Sequence, residues 1–461
     1  MILLRTAAAL GALVAAMPAH AQHQGHDMGG MPMPAPTPAP SPVPAPHQGH
    51  GTPAAPASPH AGHAMPAGEG EANEIVVNPQ VGPTMGRDGP GTSWRPDSSE
   101  DPRGEMALHA MRGDWMFMGH VLLNGVHDWQ QGPRGGEKSF VSGMIMGMAR
   151  GELGTNDRIE LRAMLSPEPL IGRRGYPLLF AAGETADGAT LLVDRQHPHD
   201  FFMELSTRYT HIFGTSGVGA FVYAGLPGEP AFGPPAFMHR MSIMDSPEAP
   251  ITHHWLDSTH ISFGVITAGL ATRDVKFEAS RFNGREPDQR RWNIETGPLD
   301  STAIRLSWNP TYNLALQASW AHLVAPEQLE PDENSTRWSA SAIWTRRFGR
   351  ARWISTTFAW GNRDGADAVA VEAAAGLGLW TLYGRAEYAE NDELDPAAGH
   401  HGSRRAVSRM SLGAIRDFRV ARGVRLGLGA QVTQNFVPAA LEPFYTGDPR
   451  GAMAFVRLKL D

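Results

Sequence analysis

From Gly113 to Asp461 apolar and polar residues alternate with a period of two, the pattern of strands whose two faces meet different surroundings. Val424, Leu426, Leu428, Ala430 and Val432 alternate with Arg425, Gly427, Gly429, Gln431 and Thr433. Ile304, Leu306 and Trp308 oppose Arg305, Ser307 and Asn309, and Leu314, Leu316, Ala318 and Trp320 resume the pattern after a turn. Trp338, Ala340, Ala342 and Trp344 oppose Arg337, Ser339, Ser341 and Thr345. A sandwich core shares this period, but its strands are shorter and seldom put so many Arg, Gln and Asn on the opposite face. Long strands with an aromatic-bounded apolar face fit a transmembrane barrel.

Sixteen strands are expected, starting near Gly113, Glu137, Asp157, Leu205, Gly217, Thr259, Asp274, Ser301, Tyr312, Ser335, Arg350, Ala366, Leu379, Ala406, Arg422 and Gly451. Short turns at 151–156, 214–216, 271–273, 309–311, 348–349, 376–378 and 419–421 fall between longer connections at 166–204, 226–258, 283–300, 324–334, 391–405 and 438–450. Short turns at one rim, long loops at the other and an even strand number mark a bacterial outer-membrane barrel. Closure follows from lipid, where every backbone polar group needs a partner and an open sheet edge has none. The expected fold is all-β: an antiparallel up-and-down barrel of about 16 strands (14–18 allowed), preceded by a disordered tail. The two long early gaps leave room for an extra hairpin, an inward-folded loop or a helix. The chain ends on Lys459-Leu460-Asp461 rather than on an aromatic, although its last strand still alternates.

The N-terminal region lacks this pattern. Arg5, the apolar run Ala7–Ala16 and Ala19-His20-Ala21 read as an export signal over 1–21, cleaved near Gln22. Residues 22–75 are Pro/Ala/Gly/His-rich, with Pro at every second position from Pro32 to Pro46, and are expected to be extended and disordered. Residues 76–112 read as a linker and 113–461 as the barrel.

Composition narrows the function. The net charge of −8 gives no basic footprint for nucleic acid, and the absence of cysteine excludes disulfides, iron–sulfur clusters and thiolate metal sites. Nothing resembles a P-loop, a dinucleotide fingerprint or a nucleophile elbow, so no enzyme activity is expected.

Two groups of residues carry candidate chemistry. In the tail, His-x-Gly-His occurs three times, as His23/His26, His47/His50 and His60/His63, beside Met28, Met31, Met33 and Met65. Imidazole with thioether and no thiolate is a copper ligand set; imidazole alone also serves zinc and nickel. The alternative is a spacer whose His content adds solubility. In the long connections, Asp194-Arg195-Gln196-His197-Pro198-His199-Asp200 is followed by Met238-His239-Arg240-Met241 and by His253-His254-Trp255-Leu256-Asp257 with His260. A His-x-His pair beside a carboxylate can chelate a metal, so His197, His199, Asp200, His239, His253 and His254 are candidate ligands. Loop polar residues held by hydrogen bonds would look the same. Met144, Met146 and Met148 share a face of the second strand, which suits a lipid-facing stripe at least as well as a copper path. Lumen-facing Arg305, Arg337, Arg425 and Arg457 would tune a wet interior toward anions or pair with loop carboxylates.

In architecture, a Met/His-rich head followed by a barrel, the chain resembles the His/Met-headed outer-membrane proteins of bacterial copper resistance. The motifs 194–200 and Pro250-Ile251-Thr252-His253-His254-Trp255-Leu256-Asp257 instead resemble an uncharacterised group that often accompanies copper-resistance systems. The resemblance implies a compartment and a metal theme, and no catalytic residues. The expected function is an outer-membrane barrel with its tail in the periplasm, binding or exporting copper in metal tolerance. Its expected partners are outer-membrane lipid, metal ions and periplasmic copper proteins. The rival is a pore or structural barrel for another small solute, with the tail as a spacer. A third reading is a soluble exported β-rich metalloprotein.

Overall fold

The computed structural model describes residues 87–99, 108–349, 351–395 and 402–460. The export signal and the tail ligands His23, His26, Met28, Met31, Met33, His47, His50, His60, His63 and Met65 lie outside the described residues.

A short strand β1 (His109–Arg112) forms a hairpin with β2 (Trp115–Gln130), which is followed by β3 (Gly136–Glu152) and β4 (Asp157–Leu165). The chain then leaves the wall for a separate hairpin, β5 (Tyr176–Thr185) and β6 (Leu191–Gln196). It returns as β7 (Phe202–Ile212) and β8 (Gly219–Gly225), and leaves again over 226–264. Thereafter come β9 (Val265–Ala271), β10 (Val275–Phe282), β11 (Ser301–Thr311), β12 (Leu314–Val324), β13 (Asn334–Arg347), β14 (Arg352–Arg363) and β15 (Ala366–Leu377). The last four are β16 (Trp380–Asn391), β17 (Arg405–Ala421), β18 (Val424–Phe436) and β19 (Arg450–Leu460). Apart from β1, β5 and β6, these strands pair antiparallel in chain order, β4 with β7, and β19 closes on β2 from Gly451↔Gln130 to Leu460↔Val121. That makes a closed barrel of sixteen strands, the number the alternation predicts.

The strand starts also match, with the largest slip at Thr259. Ser258–His260 there form a 3-10 turn, and the strand begins at Val265. One regularity breaks: β14 and β15 are joined by Asp364-Gly365 alone, at the rim where long loops are expected.

The outer face carries half-exposed Leu306, Leu426, Leu428, Val432 and Val456, bounded by Trp308, Tyr312, Phe348 and Trp380 near the short turns and by Trp129 and Trp338 near the other rim. In water so large a contiguous apolar belt would drive aggregation; in a bilayer it is the stabilising surface. The chain is an outer-membrane barrel, and the soluble reading is overturned by this belt.

The inner face is not a wet channel wall. Arg305, Arg337 and Arg457 are at most 2 % exposed, and Arg425 is 8 % exposed. Of the two roles open to these arginines, pairing holds. Arg305 pairs with Glu278 of the wall at 2.9 Å, Arg457 with Asp417 of the wall and with Asp245, and Arg337 approaches Glu286 and Glu327 of the loops at 3.8 Å. Among the described residues, three long segments enter the lumen. Residues 87–99 cross its short-turn half, where Arg208 donates to Asp88 (2.6 Å), Arg162 to the Gly89 carbonyl (2.7 Å) and Ser98 to the Thr345 carbonyl (2.8 Å). Residues 166–201, with the β5–β6 hairpin, and residues 226–264 fill the rest, and Leu178, Leu179, Ile243 and Leu256 are wholly buried there. Met144 and Met146 also face inward, against Met164, Met203, Ile261 and Phe263. The lipid-facing reading of that stripe is thus replaced by a thioether-filled inner core, which unbranched Met side chains suit well.

Candidate functional site

The buried histidines meet inside the lumen because three backbone devices aim them there. The first is Asp194, which adopts φ 56°. Its carboxylate accepts the Phe180 N–H (2.7 Å) and the Tyr445 hydroxyl (2.8 Å) and pairs with Arg134 (2.5 Å), anchoring β6 so that His197 and His199 follow in a fixed direction. The second is the 3-10 turn Glu168–Ile171, whose Glu168 accepts both the backbone N–H (3.0 Å) and Nδ1 (2.7 Å) of His199. The third is a single helical turn, α1 (His253–Leu256), closed by Asp257. Asp257 Oδ1 holds His253 Nδ1 at 2.7 Å, and its backbone carbonyl holds His260 Nδ1 at 2.8 Å. Its other oxygen accepts from Arg240 (2.7 Å) and from the Phe237 N–H (3.0 Å).

Glycine permits two of these approaches. A Cβ on Gly361 of β14 would lie 2.4 Å from the Trp255 carbonyl, so α1 could not seat on the wall. Gly183 has φ +110°, and a Cβ there would lie 2.8 Å from the His254 ring.

The result is a small space of about 20 Å³ lined by His197, His199, His253, His254 and His260 with Glu184, Asp200, Glu286 and Arg291. Ring centroids lie 5.0 Å apart for His253 and His260, 5.1 Å for His199 and His260, and 5.7 Å for His253 and His254. The partners of His199, His253 and His260 at Nδ1 are a carboxylate, a carboxylate and a carbonyl, which only accept. The proton of the His253 and His260 rings is therefore assigned to Nδ1, leaving Nε2 with a lone pair, while His199 donates through Nδ1 to the Glu168 carboxylate. Nε2 of His199 and of His260 is buried with no hydrogen-bond partner.

The surrounding charges are sorted by burial and contact. Burial alone would push the Glu168 carboxyl up, but the His199 contact holds it below its ordinary value; His199 is correspondingly raised, Glu168 outweighing burial. Burial lowers His253 and, far more, His197 and His260, which stay neutral. Among the described residues, the group whose ligand atoms lie within 4.8 Å of one another is His254, Glu286 and Glu327 at the chamber edge. There burial and the Glu286 charge push Glu327 up to about 8, while His254 and Arg337 hold Glu286 down at about 2 against burial.

Of the sequence candidates, His197, His199, Asp200, His253 and His254 line the chamber. His239 does not: it sits on the turn Phe237–His239, buried, its Nε2 unpartnered and its charge suppressed by burial and by Arg95, His120 and Arg162. Glu168, Glu184, Glu286, Glu327 and Arg291 belong to the site with no spacing signal in the chain. Glu168 stands between two prolines at the start of a long connection, and Glu286, Glu327 and Arg291 come from two later loops.

No family model and no curated protein matches the chain. Solved structures do. Pseudomonas putida OprB is 8% identical with a TM-score of 0.51, over 75% of this chain and 94% of that one. The fold is that of a porin-type barrel. Salmonella typhi OmpF (9% identity, TM-score 0.47, 76% of this chain, all of that one) and an anion-selective porin from Comamonas acidovorans (9%, 0.43, 75% and all of that chain) are similar more distantly.

Proposed function

We propose that this protein is an outer-membrane pore-class barrel for a small solute, closed in this state by its own inward-folded segments. The observation that carries the reading is the set of lumen arginines. Arg305, Arg337, Arg385 and Arg409 lie on the face that would line a channel, yet each is at most 1 % exposed and several meet segment 226–264 or the loops. Sixteen strands enclose enough space for an aqueous channel, so closure comes from the inserted segments. Passage then requires 226–264 to shift. The test is conductance of the full chain in planar bilayers. Low resting conductance that rises when contacts between segment and wall are removed supports the reading; steady high conductance of the unaltered protein would sink it.

A second reading is copper tolerance, favoured by the three His-x-Gly-His pairs with neighbouring Met. On it the tail captures copper, or zinc or nickel, on the periplasmic side. Metal stoichiometry of the full chain should then fall stepwise as each pair becomes Ala. A deletion strain should be metal-sensitive, and removal of the tail alone should reproduce that phenotype.

A further inference from the structure

We propose that a groove at the outer mouth binds a small aromatic carboxylate, stacked on Trp292 and paired with Arg173 and Arg290. The site stands without the pore reading; only the step that makes this anion the passing solute rests on it.

The groove opens among three connections at the rim that bears the long loops, which faces the exterior in bacterial outer-membrane barrels. Its volume is about 560 Å³, within the roughly 300–1,000 Å³ of small-molecule sites. Pro169 and Pro198 give it stiff, buried apolar sides, and Trp292 lies in the lining 55 % exposed. The indole packs against Phe201, with ring centroids 5.3 Å apart and planes 30° from parallel, which fixes its direction. Arg173 and Arg290 are exposed in the same lining, and among the described residues neither guanidinium has an ion-pair or hydrogen-bond partner. The acids of the 283–300 loop nearest in sequence serve its own backbone instead. Asp288 accepts the Arg290 N–H at 2.5 Å, and Glu295 accepts the Asp288 N–H at 3.2 Å.

Chemistry selects the ligand. A guanidinium fork takes a carboxylate by two parallel bonds, where an ammonium would act as a point charge. Two free forks beside an exposed indole therefore suit an anion carried on a flat ring. The floor supports this. Arg291 belongs to the linings of both the groove and the inner chamber, and is gripped by Glu184 and by Asp200 at 3.0 Å. Buried polar atoms ordinarily find a partner, yet Arg291 Nε is a buried donor with none. An acceptor seated in the groove meets that donor. The chamber beyond, of about 20 Å³, is too small for such a solute. The anion therefore halts at Arg291 until residues 166–201 and 226–264 shift.

The test is calorimetric titration of the full chain in detergent with benzoate, against a detergent blank, with folding followed by heat-modifiable gel migration. The expected result is saturable binding of one benzoate, with benzamide and inorganic phosphate each at least tenfold weaker. Benzamide keeps the ring without the charge, and phosphate keeps the charge without the ring. R173Q/R290Q and W292A should each weaken benzoate binding at least tenfold. All three side chains are exposed, so the barrel should keep its migration. Absence of saturable benzoate binding in the folded protein overturns the proposal, as does binding that survives R173Q/R290Q or W292A. Phosphate binding as tight as that of benzoate also overturns it, by reducing the site to a charge trap. Bilayer conductance is read on the same samples. Steady high conductance of the unaltered protein sinks the closed-pore reading alone, whatever benzoate does.

Discussion

Arg240 of the inward-folded segment grips Glu372 of the barrel wall with two parallel bonds, Nη2 to Oε1 at 2.5 Å and Nε to Oε2 at 2.8 Å, and neither side chain reaches solvent. The same guanidinium holds Asp257, so one residue links the wall, the segment and the support of the histidine chamber.

Removing that link should open the barrel. R240A strands two buried carboxylates, a loss of about 3–5 kcal/mol for a broken buried pair. The expected outcome is a raised conductance in bilayers, together with faster proteolysis within 226–264 and an intact wall by gel migration. The double variant R240M/E372L removes both charges and should stay closer to the closed state, because no carboxylate of the wall pair is left unpaired.

The seat of α1 depends on a missing side chain. G361V places atoms where the Trp255 carbonyl lies, 2.4 Å from the Cβ position. The helical turn should lift from the wall. Hydrogen exchange of 253–257 should quicken, while strands β13–β15 keep their protection. Unchanged exchange would show that the turn is held elsewhere.

Asp194 sets a pH dependence for the β5–β6 hairpin. Burial pushes its carboxyl up to about 6 in spite of Arg134, from an ordinary value of 3.8. A raised carboxyl binds its proton more tightly in the folded state, so this contribution is full below about pH 4 and is lost as pH rises through 6. Protease access to residues 186–190 should therefore increase between pH 4 and 7. In D194N, which carries no titrating proton, that slope should flatten.

The outer belt makes a separate prediction. L428R puts a charge near the middle of β18 on the lipid side, where arginine costs about 2–4 kcal/mol. Denaturant unfolding from liposomes should shift by that amount. The lumen-side arginine at 425 belongs to the native fold, and its replacement should leave the lipid-facing energetics unchanged.

The wall was legible in the chain because a strand has only two faces. Once Ile304, Leu306 and Trp308 are assigned to lipid, Arg305 must point inward, and lipid forces the sheet to close. Alternation therefore determined sixteen strands, their direction and the rim that bears the long connections. It could not show what fills the interior, because lumen residues look alike whether they meet water or folded chain. Arg305 and Arg337 read equally well as a channel lining and as ion-pair partners, and only their contacts decided it. The histidine motifs named most of the chamber, but Glu168, Glu286 and Arg291 enter from separate connections whose relative positions no local pattern encodes. Their convergence depends on long-range closure: how far 166–201 and 226–264 fold back, and which wall charges they find there. The barrel was set by periodicity, a local property; the chamber was set by packing among distant segments, which only the tertiary structure specifies.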